Sequence, residues 1–179
     1  MTSRRIAELP SLRSEAAFRA LLRSFTAGKD RPGFRLVCFS VQSNHVHLIV
    51  EADDRVRLSR GLQGLFVRMA RAVNRAWGRR GQVFEGQYDS RPLRSPLAVR
   101  NALVYVLQNA WKHGLTLDGL DPCSSARWFQ GWSPCARPEP WWRSAPVAEP
   151  RTWLLRTGWL RYGRLEPIER PRSGAGRAT

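Results

Sequence analysis

Two imidazoles placed two residues apart on an extended backbone can grip one divalent ion. In the stretch SNHVHLIVE, His45 and His47 stand in that relation. Strand side chains alternate between faces, so both histidines project from one face while Val46, Leu48 and Val50 project from the other. Two nitrogen donors hold a metal weakly, and a third donor is needed. Glu51 is in phase with the pair and stays open as a ligand. Tyr105 and Asn109 lie four residues apart in a segment of helical period, a spacing that aims a phenol and a carboxamide at one spot. Over the histidine face they would complete a site in which His45, His47 and Asn109 hold a metal that polarises a phosphodiester. Tyr105 would then attack the phosphorus and form a phosphotyrosine. The plainer alternative is a hairpin with two partly exposed histidines, a boundary tyrosine and a solvated asparagine.

These residues need elements to position them. Phe34 to Val41 is rich in β-branched and aromatic residues, Gln42 to Asn44 supply turn chemistry, and His45 to Val50 follow as a second strand. Upstream, residues 1–10 allow a brief strand. Ser14 is placed to cap a helix over 15–26, closed by Gly28, with Phe18, Leu21, Leu22 and Phe25 as its apolar stripe. A long helix over 58–77 follows from the spacing of Leu58, Leu62, Leu65, Met69, Val73 and Trp77. Residues 82–93 read as a further strand or hairpin. Ser95-Pro96 is a start signal for a helix reaching His113 and ending at Gly114. The order (β)–α–β–β–α–β–α predicts an α+β fold, an antiparallel sheet of the ferredoxin-like or RRM-like kind with helices packed on it. Its first strand is short.

The formal net charge is +16, and only Lys29 and Lys112 are lysines. Arginine-dominated positive charge points to phosphate-bearing partners. Arg68, Arg71 and Arg75 on the long helix, with Arg91 and Arg94 beyond it, are the candidate DNA contacts. No stretch is long and apolar enough to span a membrane, and no secretory segment opens the chain. Cys38, Cys123 and Cys135 form neither a disulfide framework nor a zinc pair, which fits a reduced, cytoplasmic and nucleoid-associated setting.

SVQSNHVHLIVE together with VFEGQYDSRPLRSPLAVRNALVYVLQNAWKHG resembles the HUH single-tyrosine transposases, and within them the REP-associated type with its IS200-like domain. The resemblance covers roughly residues 11–114. It implies Tyr105 as nucleophile, His45, His47 and Asn109 as ligands of Mg²⁺ or Mn²⁺, and single-stranded or hairpin DNA as partner, with a monomer or homodimer. The implied reaction is metal-dependent cleavage and strand transfer through a 5′-phosphotyrosine. Two departures stand out. Only residues 1–9 remain for an opening strand that is longer in the family, and Ala110 replaces a proline common after the asparagine.

Other function classes fit the same residues. A non-catalytic RRM-like module would bind nucleic acid by aromatic stacking. In a metal-dependent phosphohydrolase, Ile49 occupies the third position of a histidine triad, so that version fails. Tyr88 is a competing nucleophile without a ligand-type residue at helical spacing, and ranks below Tyr105. The transposase-like domain is expected over 1–116 and a Trp/Pro/Arg-rich extension over 117–179, with a disordered basic end. In the extension Trp128, Trp132, Trp141 and Trp142, with Arg127, Arg137 and Arg143, either grip DNA or fold back over the sheet edge left by the short N-terminus. The number of tryptophans favours folding back.

Overall fold

The computed structural model describes residues 1–86, 88–109, 119–134 and 144–169. Its strands are β1 (Thr2–Arg4), β2 (Asp30–Arg31), β3 (Phe34–Val41) and β4 (His45–Ala52). Its helices are α1 (Glu15–Gly28), α2 (Arg55–Ala76), α3 (Pro96–Leu107) and the short α4 (Trp153–Arg156). The sheet order is β1-β4-β3-β2, with every pairing antiparallel. The described residues of 82–93 do not form a regular strand. They meet β1 and the residue after it through single bridges, Thr2 with Asp89 and Arg5 with Phe84. Counting that segment as the outermost position, the order is that of a ferredoxin-like sheet, as the element pattern predicts.

The local signals explain most element ends. Ser95 accepts from the Ala98 N–H and Pro96 opens α3, while Asp54 accepts from the Arg57 N–H and starts α2 three residues before the expected point. Ser14 precedes α1 as expected, yet its side chain makes no cap bond. At Gly33, φ is +76°, the left-handed backbone of the tight turn joining β2 to β3.

The sheet separates two cores. Val46 and Leu48 face α1 and α2, among Leu21, Phe25, Leu62, Leu65 and Met69. Val37, Cys38 and Ile49 face α3 and the C-terminal residues Trp132, Leu155, Trp159 and Leu165. A bulge between Leu36 and Cys38 sets Cys38 opposite Ile49, so both reach the second core. Because this core covers α3 from the far side, Val99, Leu103, Val104, Val106 and Leu107 are all buried, a wider band than a one-sided amphipathic helix needs.

The extension does fold back, on a different edge from the one expected. The outer edge of β3 is met by the Cys123 carbonyl at Val41, by Ser125 Oγ at the Phe39 N–H, and by the Ala148 N–H at the Leu36 carbonyl. Arg13 fixes this arm by a two-pronged pair with Asp121 at 2.8 and 3.0 Å. Trp132 is fully buried and donates to the Ala126 carbonyl. Trp141, Trp142, Arg137, Arg143, Cys135, the expected boundary near 116, the helix end at His113 and Gly114, and the basic end beyond Glu169 lie outside the described residues.

On the opposite side, β1 pairs with His45, Val46 and His47 alone, and Met1 extends it by exchanging backbone bonds with Leu48. Among the described residues no strand pairs with the outer edge of β4 beyond Leu48. A cleft opens there.

Candidate active site

The cleft, about 1190 Å³, runs along that edge between the first turns of α2 and the face of α3. Its chemistry-bearing lining includes His47, Tyr105, Tyr88, Arg55, Arg91 and Arg94, with the carboxylates of Glu51 and Asp54. β4 supplies the histidine, α3 the tyrosine, and the segment after α2 supplies Tyr88 and two arginines. The elements that meet here are distant in sequence, and the sheet brings them together.

His45 and His47 share one face, with their Nε2 atoms 2.9 Å apart. Their other ring nitrogens are held from outside, since His45 Nδ1 meets Asn44 Oδ1 and His47 Nδ1 meets Thr2 Oγ1, each at 2.7 Å. A carboxamide oxygen accepts, so His45 carries its proton on Nδ1 and turns an Nε2 lone pair inward. The 2.9 Å contact between the two Nε2 atoms is a hydrogen bond, so His47 donates its Nε2 proton to that lone pair and its Nδ1 accepts from the Thr2 hydroxyl; with a metal on both Nε2 atoms the Thr2 oxygen would accept instead. Two nitrogens bound side by side at about 2.1 Å in an octahedral ion would stand about 3.0 Å apart, close to the observed separation. The outer hydrogen bonds are the type that orients metal-ligating histidines.

Tyr105 presents its ring edge-on to His47, centroids 5.0 Å apart. Burial raises its phenol pKa above the usual tyrosine value. Tyr88 also lines the cleft, 38% exposed and stacked over Phe66 at 6.4 Å.

Asn109 does not sit on a continuing helix. α3 ends at Leu107, and Gln108, with φ −119° and ψ 19°, turns the chain out of helical geometry. Asn109 is fully buried, lies outside the cleft lining, and neither its Oδ1 nor its Nδ2 has a hydrogen-bond partner among the described residues. Leaving a buried amide unsatisfied costs about 1–3 kcal/mol, so such a group calls for an explanation. A bound cation that takes the oxygen is one. No cluster of three His, Cys, Asp or Glu suited to a metal occurs among the described residues. Two imidazoles and a carboxamide oxygen, the donor set expected from the sequence, fit a hard or borderline divalent ion.

Glu51 is not available to that set. Its carboxylate is buried and accepts from the backbone N–H of Arg151 and Thr152 and from the Thr152 hydroxyl, with Arg35 nearby at 3.9 Å. It anchors the start of α4. Of the candidate DNA contacts, Arg91 and Arg94 line the cleft, whereas Arg68, Arg71 and Arg75 do not. Sequence reasoning missed the hydrogen bonds by which Thr2 and Asn44 hold the two imidazoles. The second had a signal, since it directly precedes the histidine pair. The first had none before the β1–β4 register was known.

No protein-family model matches the chain, and neither does any of the curated proteins. Among solved structures, one of a REP-associated tyrosine transposase bound to a REP hairpin is similar, with a TM-score of 0.59 and 16% identity. The alignment covers 84% of this chain and 90% of that one. At that identity the likeness establishes the shared α+β fold.

Proposed function

We propose that this chain cleaves and rejoins single-stranded DNA through Tyr105. The observation that carries the reading is the convergence of Tyr105 on His47 within an arginine-lined cleft, with the His45 imidazole hydrogen-bonded to His47 beside it. The fold shared with a hairpin-bound tyrosine transposase supports it.

Arg91, Arg94 and Arg55 line the cleft and hold the sugar–phosphate backbone by charge-assisted bonds. Tyr105 enters as a phenol, in keeping with its burial. Its oxygen bonds to phosphorus as the bond from phosphorus to the 3′ oxygen breaks. The phenolic proton is lost and the departing oxygen gains one. The products are a 5′-phosphotyrosine and a free 3′ hydroxyl. The ester keeps the bond energy of the original linkage, so a second 3′ hydroxyl can reverse the step and join a new end. Thr2 and Asn44 hold the two imidazoles in register throughout. Mg²⁺ or Mn²⁺, held by His45, His47 and Asn109, would supply Lewis-acid stabilisation of charge on the phosphoryl oxygens.

The test is incubation with hairpin-bearing single-stranded DNA and Mn²⁺, followed by denaturing electrophoresis. A protein–DNA species that survives denaturant, and that disappears in EDTA, supports the reading. Intact DNA with no such species, from protein shown to bind the oligonucleotide, leaves a non-catalytic binding module instead.

A further inference from the structure

α2 carries six arginines and no acidic residue in 22 positions. Five of them, Arg57, Arg60, Arg68, Arg71 and Arg75, fall three, eight, three and four residues apart. The gap of eight is divided by Gly64 into two steps of four. This is helical spacing, so the five form one stripe, about 27 Å long at the helical rise of 1.5 Å per residue. The stripe stands off the buried ridge of Leu62, Leu65, Met69 and Val73, and all five arginines are exposed. None of their side chains has an ion-pair or hydrogen-bond partner among the described residues. The one carboxylate of α1, Glu15, pairs with Arg19 of its own helix, and at the end of the stripe the Asp53 carboxylate shares with Arg57 the surroundings of Gly33.

The stripe is separate from the cleft. Arg55, Leu58 and Leu62 turn toward the cleft. Arg57, Arg60 and Arg68 border a hollow of about 300 Å³ with Arg31, floored by glycines and Phe34. Gly61 lets α2 lie against Phe34, because a β-carbon there would collide with the ring. A β-carbon at Gly64 would meet nothing, so a shallow notch divides the ridge in the middle.

We infer that this ridge is a second nucleic-acid contact surface, which takes the phosphodiester backbone of a duplex stem without reading its sequence. Over about 27 Å a duplex completes most of its helical turn of about 34–36 Å, so a straight ridge meets the backbones of both strands where they face it, and a few phosphates at each crossing suit the five guanidinium forks. Arginine forks match phosphate oxygens in pairs, and backbone contacts position a duplex without specifying bases. A chain that processes a single strand in its cleft would thereby hold the adjoining stem on a different face. The inference rests on the reading of the chain as DNA-handling, and it fails or stands independently of the chemistry in the cleft.

The test uses the full chain, a blunt 12-base-pair duplex and an oligothymidine of matching length, in EDTA so that no cleavage occurs. Fluorescence anisotropy between 50 and 200 mM salt gives the slope of log K against log salt for each DNA. Each neutralised duplex phosphate contributes about 0.9 to that slope. Replacing Arg57, Arg68, Arg71 and Arg75 by Gln should flatten the duplex slope by two units or more, while the oligothymidine slope changes by less than one. The matching Lys variant should keep the native duplex slope, which separates lost charge from lost fold. A duplex slope that flattens by less than two units overturns the inference, as does equal flattening with oligothymidine. Loss of binding to phosphatidylserine vesicles with an unchanged duplex slope would assign the ridge to a lipid surface and also overturn it.

Discussion

Replacing Glu51 by Gln removes one charge and almost no volume from the joint between β4 and the start of α4. The native carboxylate accepts from the Arg151 N–H, the Thr152 N–H and the Thr152 hydroxyl, and lies 3.9 Å from Arg35. Hydrogen bonds to a charged group contribute about 1.5–3 kcal/mol each. The Gln oxygen can keep Thr152. Its NH₂ group then faces the Arg151 N–H, donor against donor, and Arg35 is left with Asp30 at 3.5 Å as its remaining carboxylate. The loss should be about 3 kcal/mol, one charged bond plus the cost of the mismatch. For a chain of this size that lowers Tm by roughly 6–12 °C. Thermal unfolding followed by circular dichroism measures it, and a Mn²⁺ titration of the folded variant supplies the second readout. The reasoning requires a large Tm drop with Mn²⁺ affinity changed less than about twofold, because a metal ligand would cost far more. A Tm within about 2 °C of native, or a tenfold loss of Mn²⁺ affinity, would refute it.

Thr2→Val removes the hydroxyl that orients His47 and should weaken Mn²⁺ binding by about 10–100-fold, the usual effect of losing an outer hydrogen bond to a ligand, as read by calorimetry. Asn109→Leu should raise thermal stability in metal-free buffer, because an unsatisfied buried amide is replaced by an apolar group, yet lower Mn²⁺ affinity; a variant destabilised without metal would show that the amide has a structural role. The Cys38 thiol is pushed up to about 12 by burial, so at pH 8 the reactive thiolate is on the order of one part in ten thousand. Iodoacetamide followed by peptide mass spectrometry should label Cys38 only after unfolding.

The parts of the fold that depend on local spacing were legible before any coordinates. The two strands around SNHVHLIVE, the cap at Ser95 and the apolar ridge of α2 all follow from neighbours within a few residues. What depends on distant partners was not. Glu51 keeps strand phase with the histidines, and only the arrival of Arg151 and Thr152, a hundred residues later, turns it from a possible ligand into an anchor. Leu107 carries no stop signal, so helical period alone extends α3 past its actual end at Leu107. Trp132 is buried as the number of tryptophans suggested, whereas Trp128 is half-buried and Trp153 exposed, and composition cannot say which sheet edge an arm will cover. The arginines of α2 and those at 91 and 94 look alike as charge, and only the placement of the cleft separates them.

The central claim is that Tyr105 is the group that becomes joined to DNA. Native protein, Tyr105→Phe and Tyr88→Phe should each be incubated with the same hairpin-bearing single strand and Mn²⁺. Any adduct is then digested and the modified peptide sequenced by mass spectrometry. The account predicts a nucleotide on Tyr105 in the native protein and in Tyr88→Phe, and no adduct from Tyr105→Phe although it still binds the strand. An adduct mapped to Tyr88, or one that persists in Tyr105→Phe, would contradict it.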